Sequence, residues 1–293
     1  MRSILFLAAP LLLACGSTNS NESKLDIVPG EAVNLQLSPD ENVKTGIMSV
    51  VTEMNMMKMD MKTEMDMYFQ FSFIKRHPDT LENTSALTRV VMRQSGIPGM
   101  PAEGFDTDSP DGGGMLTETV AKSFSGMINA KIRTLLSPKG KVYSTDTPEG
   151  LEEILASSGG VGNTSSPWQT IFPEKPVAPG DSWSSILPNT GGDNAAPLSV
   201  TYTLLKVQDG IAYIHMETEP WAEKHRAGDM KDISTLSMSG QIELNLSDGL
   251  ALLVDTHTEF GIDIKNGAIS METTAKVHTT FTMNPYAPQA NLP

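Results

Sequence analysis

Apolar and polar residues alternate with period two along much of the chain, and glycine turns join the alternating runs. Val200, Tyr202 and Leu204 alternate up to Asp209-Gly210, and Ala212, Ile214 and Met216 alternate away from it. Asp-Gly between two such runs predicts a hairpin, because the tight turn that matches strand twist needs positive φ at both central positions. The same pattern recurs twice. Ile242, Leu244 and Leu246 lead to Asp248-Gly249 and on to Leu250, Leu252 and Val254; Ile262 and Ile264 lead to Asn266-Gly267 and on to Ile269 and Met271. A last strand is expected over Val277, Thr279, Phe281 and Met283. The alternates are polar (Thr201, Glu243, Asn245, Asp263, Glu272), which predicts an antiparallel sheet with one wet face.

The most regular alternation lies in Met54 to Phe73. Met57, Met59, Met61, Thr63, Met65, Met67, Phe69, Phe71 and Phe73 hold the odd positions, with Lys58, Asp60, Lys62, Glu64, Asp66, Tyr68, Gln70 and Ser72 between them. Successive side chains of a strand point to opposite faces, so one face here carries thioethers and rings and the other charge. The run exceeds a usual strand, which predicts either a bent, bulged strand or a turn near Lys62-Thr63-Glu64.

One short helix is expected, with Thr147 as N-cap, Pro148 at its first position, Leu151, Ile154 and Leu155 on one face and Gly159 beyond its end. A second short turn is expected at Ser166-Pro167-Trp168. Glu103 to Gly114 is rich in Asp, Gly and Pro and reads as a mobile surface loop. Its aspartates do not make a calcium loop: Asp111 stands where the turn needs glycine and Thr117 where a bidentate Glu is needed. Ser123-Phe124-Ser125-Gly126 and Ser237-Met238-Ser239-Gly240 each open a stretch with a glycine turn and an Asp-Thr end, so two related halves, about 31–160 and 168–285, are an expectation. The fold class predicted is mainly β: an antiparallel, strongly curved sheet or half-barrel with one or two short helices, a two-sheet β-sandwich being the alternative.

The N-terminus changes the picture from a bare domain to an exported one. Arg2 precedes an apolar run from Ile4 to Ala14, the charged and apolar regions of a secretory signal. Eleven residues are too few to span a bilayer, which takes about 20. Leu12-Leu13-Ala14-Cys15 resembles the lipobox of bacterial lipoproteins, which implies cleavage after residue 14 and lipid on Cys15. The chain's single cysteine then serves as an anchor, and a disulfide within the chain or a cysteine-based zinc or redox site is excluded. Residues 15–30 read as the lipidated cysteine and a small, polar tether, and 31–293 as the β-rich domain. Gly16 stands where enteric-type sorting needs Asp for inner-membrane retention, so the outer membrane facing the periplasm is favoured in a Gram-negative host. A formal charge of −14 argues against nucleic acid as a partner.

Candidate chemistry is sparse. No Gly-x-Ser-x-Gly elbow, phosphate loop or dinucleotide fingerprint is present, and His77, His215, His225, His257 and His278 are scattered with no zincin pair. No catalytic residue and no cofactor are expected. Met57, Met59, Met61, Met65, Met67, Phe69 and Phe71 form the candidate face for an apolar ligand, since methionine adapts to irregular surfaces. As the alternative, Met57, Met59 and Met61 offer soft thioethers to Cu(I) or Ag(I), provided the strand bends or a partner strand supplies a sulfur.

The string Ile171-Phe172-Pro173-Glu174-Lys175-Pro176-Val177-Ala178-Pro179-Gly180-Asp181-Ser182-Trp183 reads as a proline-stiffened connection that starts a strand at Trp183. It resembles the Phe-Pro, Pro-Val, Gly-Asp-x-Trp signature of a family of bacterial lipoproteins and secreted proteins known only as a domain of unknown function. The resemblance spans roughly Val33 to Phe281 and implies no activity. The expected function is that of a membrane-anchored envelope lipoprotein, non-enzymatic, with a binding or structural role. Its expected partners are the membrane through the lipid on Cys15 and an apolar ligand or an envelope protein.

Overall fold

A computed structural model describes residues 25–56, 59–96, 102–109, 124–148, 172–187, 198–218, 233–266 and 269–284. The signal segment, Cys15, Met57 and the expected helix beyond Pro148 lie outside the described residues. The strands are β1 (Lys44–Met56), β2 (Met59–His77), β3 (Thr80–Ser95), β4 (Glu103–Asp106), β5 (Lys131–Leu136), β6 (Val142–Asp146), β7 (Ser182–Leu187), β8 (Leu198–Gln208), β9 (Ile211–Thr218), β10 (Ile233–Asn245), β11 (Ala251–Asn266) and β12 (Ile269–Asn284). They form one open antiparallel sheet in the order β6-β5-β3-β2-β1-β12-β11-β10-β9-β8-β7, with β4 paired to β3. The first and last strands meet at its centre, so β1–β6 lie on one side of the β1/β12 junction and β7–β12 on the other. No helix among the described residues is long and apolar enough to cross a membrane.

Residue parity sorts the sheet into two faces. Registers such as Met48↔Met67, Met48↔Phe281 and Val254↔Phe281 place even residues of β1 and β11 with odd residues of β2 and β12. That face carries the core: Met67, Phe71, Phe73, Val90, Val200, Leu204, Ile214, Ile242 and Phe281 are all buried. The opposite face carries charge and hydroxyls, such as the Ser49 hydroxyl donating to Asp66 at 2.6 Å and the Lys276–Glu259 ion pair at 3.1 Å.

Curvature follows from two hydrogen bonds. Leu37 N–H donates to the Pro138 carbonyl in the β5–β6 turn, and Ser38 N–H donates to the Asp248 carbonyl in the β10–β11 turn. In a flat sheet β5 and β10, six places apart in the strand order, would stand about 29 Å apart at ~4.8 Å per strand. Consecutive residues bridge them, so the sheet curls around the chain. Leu35 and Leu37 from the segment before β1, and Phe172 and Val177 from the segment before β7, fill the inside of the curl. Val33 and Val177 join the two segments in an antiparallel bridge. The core is therefore one open sheet curled over the segment before β1, and the sandwich alternative falls.

Several local expectations change. The Met54–Phe73 run is neither one strand nor turned at Lys62–Glu64: Met56 pairs with Met59, so Met54 to Met56 belong to β1 and Met59 onward to β2. The bend falls in the neighbouring strand. Tyr68 pairs with Arg89 and Phe69 with Leu87, leaving Thr88 as a bulge whose hydroxyl donates to the Tyr68 carbonyl at 3.1 Å. The expected mobile loop begins with a strand, β4, and Arg89 grips Asp106 through two bonds of 3.0 and 2.6 Å. The two Ser-x-Ser-Gly openings differ in structure: Phe124-Ser125 is a helical turn, whereas Ser237 to Gly240 is strand β10. Apart from that turn, the described residues hold no helix.

Candidate functional site

The methionine and phenylalanine row runs along β2 on the inner face, and its burial falls toward Met59, with Phe69 the exception between buried Met67 and Phe71. Phe71 and Phe73 are almost wholly buried and meet edge to face with ring centroids 6.2 Å apart, and Met67 is 3% exposed. Phe69, Met65, Met61 and Met59 are only half-buried. The gradient has a positional cause. The filling segments that carry Leu35, Leu37, Phe172 and Val177 occupy the end of the curl near Phe71, while Met59 and Met61 lie toward the β1–β2 turn.

Around that less filled end the inner face continues across the sheet with Val50, Thr52 and Met54 of β1, Val277 and Thr279 of β12, Val254, Thr256 and Thr258 of β11, and Met238 of β10, all half-buried. Sequence alternation showed Val254, Val277 and Thr279 as strand residues, but only strand register brings them and the β1 residues to the side of the β2 row. Met54 lies directly opposite Met61, so the partner strand does supply a thioether beside the β2 row. A cavity of about 350 Å³ at this end is bounded by Glu53, Met54, Asn55, Asp60, Met61, Lys62, Thr274 and Lys276. Six of these eight belong by parity to the charged face, so this cavity is a cleft between charged side chains rather than an apolar chamber.

The proline-stiffened string has a structural task. Phe172 N–H donates to the Lys139 carbonyl, Gly180 N–H to the Leu204 carbonyl, and Asp181 accepts from Ala178 N–H at 2.8 Å. Gly180 takes φ +97°, a backbone conformation natural to glycine. Trp183, the second residue of β7, stacks on Tyr202 at 5.5 Å, and burial pushes the Tyr202 hydroxyl up to about 12.

On the charged face the scattered histidines are not all apart. His257 of β11 and His278 of β12 are direct cross-strand partners. Their rings stack with centroids 4.2 Å apart and 16° between planes. His278 Nε2 lies 2.8 Å from Asp255 Oδ1, and His257 Nδ1 3.8 Å from the same oxygen. A signal for this pair existed in the sequence but was offset. A two-residue Asn266-Gly267 loop would pair His257 with Lys276, whereas Asn266 itself pairs with Ile269, which brings His278 opposite His257. The face was legible; the partner was not.

With this geometry in place, the comparisons locate one known segment. Residues 163–251 match DUF6263, a family of unknown function. The match covers the string from Ile171 to Trp183 and strands β7 to β10. No curated protein matches the chain. A solved structure of a DUF1329 family protein from Desulfovibrio piger aligns with 86% of this chain and 89% of its own, at 10% identity and a TM-score of 0.19.

Proposed function

We propose that this protein is a lipid-anchored protein of the bacterial cell envelope, held through Cys15, that shelters an apolar ligand against its inner sheet face and catalyses no reaction. The observation that carries the ligand reading is the burial gradient along β2. A fully packed core would bury the row throughout, yet Met59 and Met61 stay half-buried beside half-buried Met54 and Val277, while Met65, Phe69, Val50 and Val254 pack against the core. A concave surface of thioethers and branched aliphatics with interspersed threonine hydroxyls suits a chain-like apolar ligand that carries a polar group. The anchor reading rests on the lipobox-like residues before Cys15, and Gly16 favours the outer membrane in a Gram-negative host. Two or three acyl chains on one residue hold a protein at a membrane essentially permanently, since each buried CH₂ contributes roughly 0.8 kcal/mol.

The test uses the full chain purified in mild detergent. Native mass spectrometry should show co-purified lipid, and a fluorescent long-chain fatty acid should bind saturably. Met61→Glu and Met65→Glu should each weaken that binding at least ~10-fold, because a carboxylate in a half-buried apolar site loses hydration. Met→Leu at the same positions should preserve it. Unchanged binding in both Glu variants would overturn the reading. Cys15→Ser should abolish incorporation of labelled palmitate.

A second reading, Cu(I) or Ag(I) held by Met57, Met59 and Met61, gains one observation: Met54 faces Met61 across the strands. Leucine at Met57, Met59 and Met61 separates the two readings. It should abolish Cu(I) uptake if thioethers are the ligands, and it should leave fatty-acid binding intact.

A further inference from the structure

We propose that Asp255, His257 and His278 form a binding site for a divalent transition-metal ion of the zinc class, on the sheet face opposite the apolar one. Three donors meet there. Asp255 and His257 are two apart on β11 and so project from the same face, and His278 stands directly across on β12. One donor atom from each residue lies within 4.8 Å of the other two. A tetrahedral ion with bonds of 2.0–2.2 Å sets its donors about 3.4 Å apart. The Asp255–His278 separation of 2.8 Å is slightly shorter than this and the Asp255–His257 separation of 3.8 Å slightly longer. The two rings must leave their stack for both in-plane lone pairs to reach one ion, and side-chain exposures of 40%, 64% and 44% leave the freedom to rotate.

The chemistry of the set selects the ion. Two imidazoles and one carboxylate suit Zn²⁺, Ni²⁺ or Cu²⁺, whereas Ca²⁺ and Mg²⁺ prefer all-oxygen shells. Without the ion, an Nε2–H of His278 donates to Asp255; to ligate through Nε2 the neutral ring takes its other tautomer, with the proton on Nδ1, while the carboxylate stays beside the metal. The surroundings favour a cation. The chain carries −14 overall, and Lys276, the lysine that neighbours His278 on this face of β12, is engaged by Glu259 at 3.1 Å. Neighbouring Thr280 Oγ1 lies 3.3 Å from His278 Nε2. Solvent completes the shell. Such an ion would tie β11 to β12, the strand that joins the two halves of the sheet.

The experiment is isothermal titration of the full chain, in detergent and without a polyhistidine tag, with ZnCl₂. The expected result is saturable binding of one equivalent, not displaced by excess Mg²⁺ or Ca²⁺. His257→Ala and His278→Ala should each weaken it at least ~10-fold. His215→Ala, which alters another histidine of the same face beside Glu217, should leave it unchanged. The side chains are solvent-facing, so circular dichroism and thermal midpoint without zinc should match the parent in all three variants. Absence of saturable binding, or binding indifferent to His257→Ala and His278→Ala, overturns the site and leaves the trio as a cross-strand polar cluster.

Discussion

Two Asp-Gly turns show how much a single residue's cost depends on what surrounds it. Gly210, φ +78°, ends the β8–β9 turn after Asp209 at φ +53°, and a Cβ built on it meets nothing within 4 Å. Gly210→Ala should cost only the left-handed backbone strain, roughly 1 kcal/mol. Gly249, φ +71°, has the same backbone need, but its Cβ would overlap the Gln36 carbonyl of the filling segment. Gly249→Ala should cost about 3 kcal/mol or more, since strain and overpacking combine. Urea unfolding of the two variants checks the contrast, and equal losses would remove the argument. Asp248, beside Gly249, is a second residue-scale case. Burial raises its carboxyl above the ordinary range, partly opposed by the Leu250 N–H that donates to it at 3.0 Å. The folded state therefore holds this proton more tightly than the unfolded chain, so stability falls as pH rises through the window just above the ordinary carboxylate value. Asp248→Asn keeps the acceptor and should flatten that fall, read as thermal midpoints between about pH 4 and pH 6.

At the scale of elements, period-two alternation determined strand identity and face but not register. The Asp209-Gly210 hairpin was readable to the residue because its two-residue loop is the commonest kind and both positive φ values are present. The methionine run was readable as strand but not as two strands, although the inner face passes from even residues at Met54 to odd residues at Met59 and Met61, a change that the odd positions by themselves do not show. The bulge at Thr88 left no mark in the sequence, because a bulged residue needs no special composition. The bulge moves the inner face of β3 from odd residues, through Leu87, to even residues from Val90. Deleting Thr88 should therefore close the bulge into regular pairing and keep Val90 in the core and Arg89 beside Asp106. The expected outcome is a native near-ultraviolet circular dichroism spectrum. Loss of that spectrum would show that the strand needs the bulge for its twist.

For the whole molecule, the decisive contact is the pairing of β1 with β12, which joins Thr45 to Asn284 across nearly the full chain. Such long-range pairing carries a large loop-closure cost before it is rewarded, so refolding from urea should be slow, on the order of seconds or longer. Complete refolding within milliseconds would mean that the halves form independently of this pairing. Sequence alone determined the strands, the wet and dry faces, the Asp209-Gly210 hairpin and the acidic balance, because each depends on composition or on neighbours a few residues apart. The Asp248-Gly249 turn proved longer than a two-residue loop, with positive φ at Gly249 alone. Only the tertiary structure decided that the sheet curls over residues 25–40, that the methionine row is packed at one end and half-buried at the other, and that Asp255, His257 and His278 meet. Those outcomes depend on register and curvature, which are set by the summed packing of distant segments and carry no local signature.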